Sequence, residues 1–213
     1  MRILSIDTTS DFGSLALREN GSTLEEMPIH ATSGFSQVLF GYLDSLLKRH
    51  DWPLATIDVF AAAAGPGSFT GVRVGLTAAK GLADAVGRGA LAVSNLQALA
   101  VHGETDARGV VIDARRGEVY AAVYDEELRV VSGELVTRLP TWLSTVTVTP
   151  KEIISPNFAP FRDSFPLDVP VIERMTLASA IGIIAERTPA VDPALLDANY
   201  VRRSDAELFW TDK

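Results

Sequence analysis

The chain has 213 residues, of which 47% are hydrophobic and 22% charged, which is enough for one large core or two small ones and excludes general disorder. It contains no cysteine, so disulfides, a thiol nucleophile and a cysteine-ligated metal are excluded. A formal net charge of -8 is the wrong sign for gripping a phosphate backbone over a broad surface, so any link to nucleic acid must run through a partner or a small local patch.

No apolar run approaches the ~20 residues of a membrane span. The opening MRILSIDTTS is short and turns acidic, unlike a signal peptide, and a cytoplasmic protein is expected. Ile3 to Ile6 predicts a short buried strand, Asp7-Thr8-Thr9-Ser10-Asp11 a polar turn, and Gly13 to Arg18 a returning strand. A third strand is expected between Thr23 and His30. Asp7, Thr8, Thr9 and Ser10 are candidate phosphate or magnesium ligands, since hydroxyls and turn amides donate while the carboxylate orients water or metal. The same residue types are also what turns are made of.

Ser33 to His50 predicts a helix in which Phe35, Val38, Leu39, Tyr42, Leu46 and Leu47 share one broad face, widened by Phe40 and Leu43. That stripe is wider than packing on one sheet requires and suits a helix buried on two sides. Ile57 to Ala64 then predicts a strand that enters a Gly65-Pro66-Gly67 turn. A helix leaves the turn, capped by Ser68 or Thr70. Inside it Gly67, Gly71, Gly75 and Ala79 recur every fourth residue, leaving one face nearly bare. Each interior glycine costs roughly 1 kcal/mol relative to alanine, so close approach by another element is expected. Phe69, Arg73, Leu76 and Lys80 form the adjacent face, which is a docking surface for a second protein or simply part of a helix packed on its own sheet.

Ala90 to Val93 predicts a strand, and Ser94-Asn95-Leu96-Gln97 a cap opening a short helix that runs to Val101. The polar stretch His102 to Arg108 is the expected boundary between a first lobe, residues 1–102, and a second, 103–213, whose tail is able to fold back on the first. Strands follow at Val110 to Ile112, Val119 to Tyr124 and Val130 to Thr137, with the Asp113-Ala114-Arg115-Arg116 turn placed as the Asp7 turn is in the first half. A short helix at Pro140 to Ser144, strand pieces at Ile153 and at Val169 to Ile172, and a helix from Thr176 to Glu186 capped by Thr176 complete the pattern. The duplicated order, three strands, helix, strand, helix, predicts an α/β fold of two lobes with mixed sheets.

No set of residues amounts to a self-sufficient active site. His30, His50 and His102 lack metal-ligand spacing, so no metal site is expected. The glycine-rich turn lacks the Gly-Lys-Ser/Thr ending of a phosphate loop, and there is no Gly-x-Ser-x-Gly elbow. Two further readings are an ATP-dependent enzyme, with Asp7, Thr8 and Thr9 cradling a nucleotide alongside Gly65 and Gly67, and, more remotely, a peptidase.

The segments ILSIDTTS, AAAAGPGSFTGVRVGLTAAKGLA, VVIDARRGEVYAAVYD and the tail Ala198 to Glu207 together resemble the TsaB (YeaZ) family, bacterial subunits of tRNA threonylcarbamoyladenosine biosynthesis. The resemblance implies an actin-like, sugar-kinase-like two-lobed fold and a non-catalytic role supporting a TsaD-type subunit, which transfers threonylcarbamoyl to adenosine 37 of tRNA. It also implies a TsaE-type ATPase in the full complex, tRNA contacts only through that complex, and a homodimer when the chain is alone. No cofactor is expected on this chain by itself, with ATP or ADP placed at the complex interface. Carried over by position, Phe35, Val38, Leu39, Tyr42 and Leu46 supply one docking helix and Phe69, Arg73, Leu76 and Lys80 the other. Family members often carry His-Ser-Glu in the first helix, where this chain has Phe35-Ser36-Gln37.

Overall fold

The computed structural model describes residues 1–32, 34–165 and 168–201. Strands β1 (Arg2–Asp7), β2 (Phe12–Glu19) and β3 (Ser22–His30) form an antiparallel meander. Helix α1 (Phe35–Arg49) then carries the chain over to β4 (Val59–Gly65), which lies parallel to β1, and α2 (Phe69–Ala85) leads to β5 (Gly89–Ser94), parallel to β4. Parallel neighbours need such crossovers, whereas the meander needs only tight turns. Helix α3 (Asn95–Ala100) closes this unit, with Ser94 as its cap.

The second unit repeats the order. Strands β6 (Arg108–Arg115), β7 (Glu118–Tyr124) and β8 (Val130–Thr137) form a meander. Helix α4 (Leu139–Thr145) leads to β9 (Glu152–Ser155), and β10 (Val171–Glu173) and α5 (Ala178–Arg187) follow. The sheets read β3-β2-β1-β4-β5 and β8-β7-β6-β9-β10, so corresponding strands occupy corresponding places. The repeat departs at one point. Where the first unit has the 17-residue α2, the second has only a 3₁₀ turn, Ala159–Ser164.

Strand alternation sends side chains to opposite faces. Leu4 and Ile6 of β1 pack beneath α1 and α2, with Leu39, Leu46 and Leu76. Ile3 faces the other way, into a middle core that α3 and α5 share with the inner face of the second sheet, through Leu96, Ile181, Val110 and Tyr124. A third core lies on the far side of the second sheet around Trp142, Val119 and Phe161. Helix α5 therefore packs on β1, β2 and β4 although it follows the second meander. The buried Arg18 guanidinium fastens it there, donating to Glu186 at 2.7 and 2.9 Å.

Two expectations are corrected. Thr176 does not cap α5, because the helix begins two residues later and makes no local side-chain cap. Its first free amides are met from the first sheet instead: Ala178 N–H donates to Ser14 Oγ at 3.0 Å and Ser179 N–H to Glu26 Oε1 at 3.1 Å. The helix expected from Ser33 begins at Phe35, and Ser33 itself lies outside the described residues, as do Arg202 to Glu207 of the tail motif.

Candidate docking site

The glycine stripe of α2 packs on the turn that follows β1. A Cβ added to Gly67 would meet Thr9 O at 2.6 Å, one on Gly71 would meet Thr8 O at 1.9 Å, and one on Gly75 would meet Thr8 Oγ1 at 2.7 Å. Only a bare helix face comes this close. Thr8 Oγ1 donates to Gly71 O at 2.7 Å, and Ser68 N–H to Thr9 O at 2.7 Å, locking turn and helix together. Ser68 also caps α2 by accepting from Gly71 N–H. Gly65, at φ +96°, turns β4 into this arrangement in a region that favours glycine.

That packing uses up the candidate phosphate ligands. Asp7, Thr8 and Thr9 are buried, and only Ser10 is exposed. Asp7 Oδ1 accepts from Thr9 N–H at 2.9 Å and Thr9 Oγ1 at 2.6 Å. Asn95 Nδ2 donates to Thr9 Oγ1 at 2.5 Å while its Oδ1 accepts from Gly65 N–H at 3.1 Å. The hydroxyl of Ser10 serves its own turn, donating to Phe12 O. Burial pushes the Asp7 carboxyl up to about 6. In this structure these side chains form a structural joint, and a dianionic phosphate placed on them would have to displace its bonds beside a buried carboxylate. Among the described residues no group of three His, Asp or Glu side chains is arranged to hold a metal.

Between α1 and α2 the surface opens into a groove of about 700 Å³, walled by Leu39, Phe40, Phe69, Arg73, Val74 and Leu82 among others. It is mostly hydrocarbon. Phe40 is 58% exposed and Phe69 54%, and the Arg73 guanidinium lies 3.7 Å over the Phe69 ring. Phe40 and Phe69 both line the groove while more than half exposed, which makes it a candidate docking surface.

Of the nine expected interface residues, Phe69 and Arg73 wall this groove while exposed. Tyr42 is exposed but lies outside the groove, and Val38 and Lys80 are half-buried. Phe35, Leu39, Leu46 and Leu76 are buried in the chain's own core, which corrects the expectation that Leu76 turns outward. Among them Leu39 still forms part of the groove floor. The broad stripe of α1 thus divides: Phe35, Leu39, Leu43 and Leu46 face the sheet, and Phe40 faces out. Phe40 was visible in the sequence as the widening of that stripe. Val74 carried no such signal.

Two mixed α/β units with the same strand order define a two-lobed actin-like protein whose distinctive surface is a helix pair. The family model described as TsaD, tRNA N6-adenosine threonylcarbamoyltransferase, matches residues 26–160, and the chain belongs to that family, in its TsaB (YeaZ) branch. It is 28% identical to the tRNA threonylcarbamoyladenosine biosynthesis protein TsaB of Bacillus subtilis, over 100% of this chain and 99% of the relative. It is 35% identical to TsaB of Escherichia coli, over 60% of this chain and 56% of that protein. The solved structure of YeaZ from Pseudomonas aeruginosa superposes with a TM-score of 0.78 at 24% identity, covering 93% of this chain and 99% of that one, and it shares the fold. No helix among the described residues is long and apolar enough to cross a membrane.

Proposed function

We propose that this chain is a non-catalytic subunit of the assembly that makes N6-threonylcarbamoyladenosine at position 37 of tRNA. It supports a TsaD-type subunit, which transfers the threonylcarbamoyl group from threonylcarbamoyl-AMP. The lobe of residues 1–102 carries the docking helices, and the partner seats its own equivalent pair against them. One observation carries this reading: the apolar groove between α1 and α2, with Phe40 and Phe69 exposed on it, in a chain of the same family as the transferase. Two helices from each side make a four-helix contact, and a partner of the same fold can replace a second copy of this chain. In the absence of the transferase the same surface closes a homodimer.

Catalysis and tRNA belong to the complex, in the cytoplasm. The acidic balance supports this division of labour, as does the burial of Asp7, Thr8 and Thr9, whose side chains are bonded within the chain's own turn. ATP or ADP, and a TsaE-type ATPase, join at the subunit interface. The buried turn also weighs against the kinase-like alternative.

The test is association and activity together. Phe40→Asp is expected to keep the unfolding midpoint of the parent while losing association with the TsaD-type subunit and, with it, reconstituted tRNA modification. Modification by the purified chain alone, or full association of the variant, overturns the reading.

A further inference from the structure

Beyond α5 the chain returns to two residues of the groove wall, Phe69 and Arg73, through residues that belong to neither docking helix. Asn199 N–H donates to Ala64 O at 2.8 Å, and its side-chain Nδ2 donates to Glu134 Oε2 at 2.5 Å. Next to it, the Tyr200 ring lies 6.0 Å from the Phe69 ring, tilted by 35°, and its hydroxyl accepts from Arg73 Nε at 3.3 Å. Tyr200 is 52% exposed. Phe69, Arg73 and Tyr200 therefore form one aromatic–guanidinium stack at the α2 N-terminal end of the groove.

Glu134, on β8 of the second sheet, is what the tail is tied to. Its other oxygen, Oε1, accepts from Tyr124 OH at 2.7 Å and from the hydroxyl of Ser94, the residue that caps α3. Burial, then the charge of Glu134 beside it, push the Tyr124 hydroxyl well above its ordinary range, so it stays a donor. One carboxylate thus gathers donors from the end of β5, from β7 and from the tail. Removing it takes the acceptor from the buried Tyr124 hydroxyl and leaves the tail without its side-chain anchor.

We propose that Tyr200 is part of the docking surface, closing one end of the α1–α2 groove with Phe69 and Arg73, and that Glu134 is the positioning residue that holds it there. This rests on the docking reading above and takes the same occupant, a transferase subunit of the same fold. Tyrosine and arginine beside a half-exposed phenylalanine are the side chains that dominate association energetics when a partner covers them. A ring already held in place by a bonded neighbour gives up less freedom on binding. Glu134 reaches Tyr200 only through Asn199, so the three residues act as one chain of contacts, and the second lobe takes part in a surface carried by the first.

Calorimetric titration of the chain with the TsaD-type subunit tests both halves, with hydrogen exchange at the Asn199 amide as a second readout. Tyr200→Ala is expected to weaken association roughly 10- to 100-fold. Glu134→Ala is expected to weaken it by a similar factor and to speed exchange at Asn199. The double variant is expected to bind no worse than Tyr200→Ala, because both changes remove the same ring from the surface. Asn199→Ala leaves Glu134 bonded to Ser94 and Tyr124, so it carries the same test should Glu134→Ala fail to fold. Unchanged association of Tyr200→Ala, where Phe40→Asp abolishes binding, overturns this inference and leaves the docking reading standing. Unchanged association of Phe40→Asp overturns the docking reading itself. Losses that add in the double variant, or unchanged exchange at Asn199 in Glu134→Ala and Asn199→Ala alike, overturn the positioning role of Glu134.

Discussion

The carbonyl oxygen of Thr8 occupies the space where a side chain on residue 71 would begin: a Cβ on Gly71 would lie 1.9 Å from it. Both partners are backbone, so neither can swing aside. Gly71→Ala is expected to cost about 3 kcal/mol or more, by forcing α2 off the β1 turn and stretching the bond from Thr8 Oγ1 to Gly71 O. Gly41→Ala is the contrasting change, in α1 with nothing within 4 Å of the added methyl. It is expected to stabilise by up to about 1 kcal/mol through helix propensity. Urea unfolding of the two variants checks both signs.

Adjacent positions on α1 should behave oppositely. Leu39 is 1% exposed and Phe40 58%. Leu39→Ala is expected to lose about 2–5 kcal/mol of stability, and Leu39→Asp to unfold the chain, whereas Phe40→Asp keeps its fold. Circular dichroism melting of the three variants separates core from surface. A stable, folded Leu39→Asp contradicts the packing described.

Asp7 makes stability depend on pH. Burial lifts its carboxyl from 3.8 to about 6, against the opposing bonds from Thr9 and with a small added push from the Glu26 charge. Between about pH 4 and 6 the folded chain holds a proton that the unfolded chain has released, so the contribution of Asp7 to stability falls as pH rises through that window. Above about pH 6 the whole penalty is present, roughly 3 kcal/mol for a shift of about two units. Asp7→Asn keeps an acceptor for Thr9 and removes the titration. Its stability is expected to rise relative to the parent between pH 4 and 7. Denaturation curves that run parallel across that range contradict the assignment.

The cap of α5 offers a fourth check. Ser14 Oγ accepts from Ala178 N–H and donates to Glu26, so Ser14→Ala is expected to cost about 1–2 kcal/mol. Thr176→Ala, outside that arrangement, is expected to change stability by less than about 0.5 kcal/mol. Equal losses in thermal denaturation contradict the cap supplied from β2.

Most elements were legible because apolar runs, turn residues and caps bound them sharply. The short buried runs of β1 and β2, the cap that opens α3 and the glycine run each follow from local chemistry, and the duplicated strand order from their sequence. The second α2 equivalent could not be read, because Ala159–Ser164 is too short to show a period. The misplacement of Leu76 has a different cause. It stands seven residues after Phe69, nearly two full turns, and so at almost the same angle on the helix. Yet Phe69 is 54% exposed and Leu76 5%. Their surroundings differ along the helix axis, where periodicity carries no information. Likewise the contact of Tyr200 with Arg73 joins residues 127 apart, and no local pattern announces it.

The position of α5 also sets an order of events at the ribosome. Arg18 and the carboxylate it grips are 168 residues apart, and the helix bearing that carboxylate covers β1, β2 and β4. Chains emerge N-terminal end first, at about 5–20 residues per second. The first sheet therefore leaves the exit tunnel with one apolar face incompletely covered, and Ile3, Val59 and Ala61 wait for a helix that is translated only after the second meander. A nascent chain stalled after α3 is expected to bind chaperones through that face, and emergence of α5, rather than completion of the first sheet, is expected to release it.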